Sequence, residues 1–178
     1  NPYPYYHQGE YTKLPLDAVK KSSFRIGGNY LMNSIEAYNF NLLYKPLPIL
    51  GVEVTHKKFL ERNRETREVL DITSVMANYY RFREKYFTGW WGLGVSHVGN
   101  EVNSYGFTYA LGIEVYPLKP ISFHLSWKES FINKNSIGEF KSQVKYHFKK
   151  LALYSGFHRN NVAGEIIKAP VIGLEFSF

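Results

Sequence analysis

Apolar and polar residues alternate along most of this chain. From Tyr105 the odd positions read Tyr105, Phe107, Tyr109, Leu111, Ile113 and Val115, and the even ones read Gly106, Thr108, Ala110, Gly112 and Glu114. Successive side chains of a β-strand point to opposite faces, so this run is a strand with one apolar face. After Pro117-Leu118-Lys119-Pro120 the alternation resumes, with Ile121, Phe123, Leu125, Trp127 and Phe131 opposing Ser122, His124, Ser126, Lys128 and Ser130. Two such runs around a short turn predict a hairpin. Phe140, Val144, Tyr146 and Phe148 likewise oppose Lys141, Gln143, Lys145 and His147. Tyr38, Phe40, Leu42 and Tyr44 oppose Asn39, Asn41 and Lys45, and Phe24, Ile26, Tyr30 and Met32 oppose Arg25, Gly27, Asn29 and Asn33. The pattern weakens from Ile49 to Phe59 and from Val69 to Phe82, where strands are expected but their phase is a guess.

The runs predict ten strands: Phe24 to Asn33, Ala37 to Lys45, Ile49 to Phe59, Val69 to Phe82, Tyr86 to His97, Ser104 to Tyr116, Ile121 to Phe131, Glu139 to Phe148, Leu151 to Arg159 and Glu165 to Phe178. Short connections (Pro46 to Pro48, Arg83 to Lys85, Pro117 to Pro120, Lys149-Lys150) alternate with longer polar ones (Leu60 to Glu68, Val98 to Asn103, Ile132 to Gly138, Asn160 to Gly164). Tight turns at one rim and longer loops at the other are the layout of an all-β, up-and-down antiparallel transmembrane barrel. Ten strands fit the pattern, and eight or twelve have the same parity.

The same period-two barrel with its apolar face inward would be a soluble lipocalin-like carrier. The apolar face is crowded with Phe, Tyr, Trp, Leu and Ile, whereas the other carries Arg25, Asn39, Asn41, Glu114, Lys128, Lys141, Gln143 and Lys145. Large rings fit poorly inside a small barrel and meet no packing constraint in lipid, so the outward-apolar arrangement is favoured. Tyr44, Tyr80, Phe82, Tyr86, Phe87, Tyr146, Phe148, Phe176 and Phe178 gather beside the tight turns, as rings at headgroup level do. Composition agrees: 15 Tyr, 13 Phe and 3 Trp in 178 residues exclude disorder. Mean hydropathy is −0.31, and no apolar run approaches the ~18 residues of a spanning helix. With no Cys there is no disulfide framework, thiolate metal site or cysteine nucleophile.

The last strand reads Val171-Ile172-Gly173-Leu174-Glu175-Phe176-Ser177-Phe178, with Ile172, Leu174, Phe176 and Phe178 on one face. It resembles the C-terminal recognition strand of Gram-negative outer-membrane β-barrel proteins. That resemblance implies insertion by the barrel assembly machinery and, for an even strand number, N- and C-termini both in the periplasm. Residues 1–22, with three Pro and a Tyr-rich start, then read as an irregular periplasmic segment or a lumen plug before a barrel over 23–178.

In such a barrel Arg25, Lys128, Lys141 and Lys145 share the lumen with Glu114 and Glu175 and, if their strands are phased as guessed, with Glu53 and Asp71. Both signs in a narrow lumen predict a paired polar core that fills it. His124 and Ser126, two apart on one face, with Glu139 opening the next strand, faintly resemble the His-x-Ser and later Glu of outer-membrane lipid A deacylases. Trp127 and Lys128 depart from that pattern, and a lumen-facing pair is turned away from lipid substrate, so a catalytic role is not expected. The six His at positions 7, 56, 97, 124, 147 and 158 show no metal-ligand spacing, and no cofactor motif is present. Lys57, Lys58, Arg62, Arg64 and Arg67 form the densest basic cluster, placed on the expected outer rim, where they could pair with lipopolysaccharide phosphates. The net charge of +7 does not point to nucleic acid, because the aromatics lie opposite the basic residues and not among them. The expected function is a non-enzymatic outer-membrane scaffold or accessory subunit engaging an envelope protein. Its alternatives are a lipid A-modifying hydrolase and a small-solute pore.

Overall fold

A computed structural model describes residues 22–32, 36–62, 67–84, 86–99, 103–133, 135–162 and 164–178. The segment expected over residues 1–22 lies, but for Ser22, outside them. The described residues form ten strands: β1 (Ser23–Leu31), β2 (Glu36–Leu47), β3 (Leu50–Arg62), β4 (Arg67–Arg83), β5 (Phe87–Gly99), β6 (Ser104–Leu118), β7 (Ile121–Ile132), β8 (Asn135–Phe148), β9 (Leu151–Val162) and β10 (Glu165–Ser177). Each pairs antiparallel with its sequence neighbours, and β1 closes on β10 with Arg25 opposite Ser177 and Leu31 opposite Val171. Closure leaves no unpaired sheet edge. With nine residues in the shortest strand and 17 in the longest, tilted strands are long enough for a hydrocarbon layer of ~25 Å.

The faces are sorted as the alternation predicts. Phe107 and Trp91 are about half exposed (53% and 50%), while Thr108 and Ser96 between them are sealed (0%). Trp127, Val144, Phe157 and Leu174 also face outward, and Glu114, Lys145 and Glu175 face in. Burying that outer apolar surface requires lipid around the barrel, the opposite of a lipocalin.

Three details differ from the pattern-based expectation. First, the longer loops are shorter than read: β7 ends at Ile132 and β8 begins at Asn135, while β9 ends at Val162 and β10 begins at Glu165. Polar residues continue those strands because ladder hydrogen bonds satisfy their backbone, and Asn133 and Gly164 take the positive φ the tight turns need. Second, register shifts lie between Tyr44 and Leu47, Tyr79 and Phe82, and Val115 and Leu118, each beside a tight turn. An extra residue reverses which parity faces in. Tyr80, expected among the outer rings, keeps the inward parity of Asn78 and lies buried, and the shift after Tyr79 turns Phe82, of the same parity, to the outside. Third, the pattern-based phase turns Asp71 inward, but in β4 Ile72, Ser74, Met76 and Asn78 are the buried positions and Asp71 shares the outer parity with Val75.

The loop-rim end of the lumen is apolar. Leu31, Ala37, Phe59, Ile72, Val98, Ile132, Ala169 and Val171 form one buried cluster, with Leu70, Ile137 and Ile167 packed against it. These residues are inward-facing, so near this rim both faces of several strands are apolar. That is why alternation fades at the loop-rim ends of β3 and β4.

Candidate functional site: the charged lumen

Below the apolar plug the lumen holds two ionic clusters, each assembled from several strands and both drawing on β8. Nearer the tight turns, Arg25 (β1) meets Glu114 (β6) at 3.4 Å and Glu175 (β10) at 3.6 Å, and Lys145 (β8) meets the same carboxylates at 3.4 and 2.9 Å. Two cations and two carboxylates make this quartet balanced. Ser122 donates to Glu114 at 3.2 Å, and the Nε2 of His147 lies 2.7 Å from the Ser122 hydroxyl. At the same end Lys45 stands over the Tyr80 ring, 3.7 Å from its centroid, a cation–π contact.

The second cluster is unbalanced. Glu139 (β8) takes Lys57 (β3) at 2.6 Å, Lys141 at 2.9 Å and Lys128 (β7) at 3.1 Å. Lys57 also donates to Asn160 at 2.8 Å, and Lys128 reaches Thr55 and Ser74 at 3.3 and 3.4 Å. Beside it Ser74, Ser96, Thr108 and Ser130 of four successive strands form a hydroxyl cluster at 2.6 to 3.1 Å. Glu53 is held by the amides of Asn41 (3.0 Å) and Asn78 (2.7 Å). Tyr154 accepts from Asn29 at 3.0 Å. Between the clusters remains a cavity of about 80 Å³, whose walls include Arg25, Glu53, His124, Lys141 and Tyr154. That space suits a few waters and not a continuous channel.

The lumen residues expected from sequence, Arg25, Glu114, Lys128, Lys141 and Lys145, thus all lie inside and all take part in ion pairs. Lys57 corrects the basic-rim reading. It is 5% exposed and bound to Glu139 within the barrel, because β3 continues to Arg62 and carries Lys57 on the inward parity with Thr55 and Phe59. It cannot touch lipopolysaccharide. Lys58 is exposed on the outer face. Arg64 and the side chains of Arg62 and Arg67 lie outside the described residues.

The three hydrolase candidates are not brought together as a triad. His124 Nε2 lies 3.3 Å from the Ser126 hydroxyl, but His124 Nδ1 meets no protein partner. Glu139 spends its oxygens on three ammonium groups. A triad needs the acid on the far imidazole nitrogen to fix its tautomer. Among the described residues no group of His, Asp and Glu has the clustering of a metal site. Ile172, Leu174 and Phe176 of β10, and Phe178 just beyond it, are all exposed.

Sequence reasoning missed Lys57, Asn160 and the hydroxyl cluster. Small hydroxyl residues at inward positions of β4 to β7 were a signal, legible only once register is known.

Compared by sequence, the chain matches no family model and no curated protein. Compared by structure, it is similar to the N-terminal β-barrel domain of Pseudomonas aeruginosa OprF, at 12% identity and TM-score 0.44, covering 88% of this chain and 97% of that one. It is similar to the Yersinia pestis outer membrane protein Ail, at 12% identity and TM-score 0.47, covering 88% and 98%. It is similar also to the outer membrane protein OprG from Pseudomonas aeruginosa, at 12% identity and TM-score 0.46, covering 89% and 96%.

Proposed function

We propose that this chain is a non-enzymatic, non-conducting β-barrel of a Gram-negative outer membrane, acting as a scaffold or accessory subunit that engages an envelope protein through its rims. The filled lumen carries the reading: paired charges occupy its middle and an apolar cluster closes one end. A pore lined this way would have to break ion pairs to pass a solute, and each broken pair leaves a buried charge. In this reading both chain ends and the tight turns face the periplasm. Ile172, Leu174, Phe176 and Phe178 serve as the signal for the barrel assembly machinery, and Lys58 with Arg62, Arg64 and Arg67 meets lipopolysaccharide phosphates. With the lumen spent on structure, specific recognition falls to the rims and loops, where it varies freely.

Planar bilayers provide the test. The purified chain is expected to leave conductance at baseline and, when extracted from its native membrane in mild detergent, to migrate in a stoichiometric complex. Stepwise single-channel currents would overturn the scaffold reading in favour of a pore.

A further inference from the structure

The Glu139 cluster carries more positive charge than the barrel's own carboxylates neutralise. With all three protonated, Lys57, Lys128 and Lys141 share one carboxylate, which gives 3 − 1 = +2. Counting Glu53, whose two oxygens are taken by Asn41 and Asn78, still leaves +1. The quartet a few residues away is neutral, so the lumen does not balance this excess from its other ionic cluster. The three lysine side chains are only 6%, 15% and 14% exposed. A net charge withdrawn from water is costly unless an opposite charge lies beside it.

The same place has a spare donor and a space. Asn160 is 2% exposed; its Oδ1 accepts from Lys57, and its Nδ2 meets no protein acceptor. Asn160 lines a cavity of about 10 Å³ together with Lys57, Lys128 and Ser74, walled toward the loop rim by Phe59 and Ile72 of the plug. That is the room of one water-sized sphere, which the flexible ends of Lys57 and Lys128 must widen slightly to admit an ion of chloride size. Its polar wall is dominated by ammonium, amide and hydroxyl donors, with Glu139 already committed to the lysines. Water would satisfy Asn160 but leave the charge, and a phosphate-sized anion is too large.

We propose that this pocket binds one small monovalent anion of chloride size, held by Lys57, Lys128 and the free amide of Asn160. The anion completes the charge balance of the barrel core and acts as a structural ligand. It binds the folded barrel and not the unfolded chain, so it raises stability with its own concentration.

The experiment melts the purified barrel in detergent at fixed ionic strength while sodium gluconate is replaced by sodium chloride or bromide. The wild type is expected to gain about 5 °C or more, saturably, as halide fills the site. Lys57→Met, which removes one unit of the excess, should lose the halide response while keeping heat-modifiable migration. Asn160→Leu keeps every charge and removes the amide. It should shift half-saturation to at least tenfold higher halide and can be read even where Lys57→Met fails to fold. Crystals grown in bromide should show an anomalous peak between Lys57 Nζ and Asn160 Nδ2. Equal melting in gluconate and halide, an equal halide response in wild type and both variants, or no lumen bromide peak at saturation would each overturn the proposal.

Discussion

Replacing Glu139 by Gln keeps the side chain's size and removes the one carboxylate that three lysines share. Its contacts, at 2.6, 2.9 and 3.1 Å, join side chains that are at most 15% exposed, so water screens them little. Removing one partner of a buried ion pair costs ~3–5 kcal/mol, chiefly for the charge left behind. Here the excess in the cluster rises from +2 to +3, and the Gln oxygen still accepts from one lysine, which returns part of the loss. The expected net destabilisation is about 4 kcal/mol. With a urea slope near ~2 kcal/mol per molar, the unfolding midpoint should fall by about 2 M. Trp90, Trp91 and Trp127 supply the fluorescence signal in phospholipid vesicles. Adding Lys57→Met to Glu139→Gln brings the excess back to +2 and should restore about half of the loss, a coupling that a double-mutant cycle isolates. A midpoint within ~0.5 M of wild type for Glu139→Gln, or losses that simply add in the double variant, would refute the view that Glu139 is the cluster's electrostatic centre.

Other perturbations probe separate parts of the barrel. Phe59→Ala truncates a ring that is 4% exposed in the plug and should cost about 3 kcal/mol by urea unfolding. The double variant Phe59→Ala/Ile72→Ala should stay silent in planar bilayers, because the ion pairs below the plug still fill the lumen; stepwise currents from it would mean that the plug alone closes the barrel. At Gly106 a Cβ would run into the carbonyl oxygen of Phe131 and the side chain of Ile132. Gly106→Ala must therefore spread β6 from β7 and is expected to lose about 2 kcal/mol; an unchanged urea midpoint contradicts that close approach. Phe176→Ala/Phe178→Ala removes two exposed rings at the end of β10 and just beyond it, and should lower the heat-modifiable fraction in outer membranes, while the protein refolded in detergent unfolds near the wild-type midpoint. Normal membrane assembly of this variant would remove the assembly-signal role.

Period-two alternation is imposed by each strand's own backbone, so the sequence alone reveals it wherever one face stays apolar. That is why Tyr105 to Phe148 could be read as strand, turn and face without knowing any partner, and why Ile172, Leu174, Phe176 and Phe178 could be placed together on one face. The size of the residues on the apolar face also decided which face is turned outward. Phase was hidden where two local rules were broken: Phe59, Leu70 and Ile72 put apolar side chains on the inward parity, and the shift between Tyr79 and Phe82 reverses the parity itself. Hence alternation alone places Asp71 and Tyr80 on the wrong faces and Lys57 on the rim.

What meets what across the lumen belonged to the tertiary structure alone. Lys57 on β3 reaches Glu139 on β8, and Arg25 on β1 reaches Glu114 on β6, across the interior and not along any hairpin. Such pairs depend on the stagger accumulated when ten strands tilt and close, a quantity that each strand shares with all the others. Alternation tells a residue only that it faces inward. Closure decides its height and its opposite number, and with them whether a buried charge is balanced.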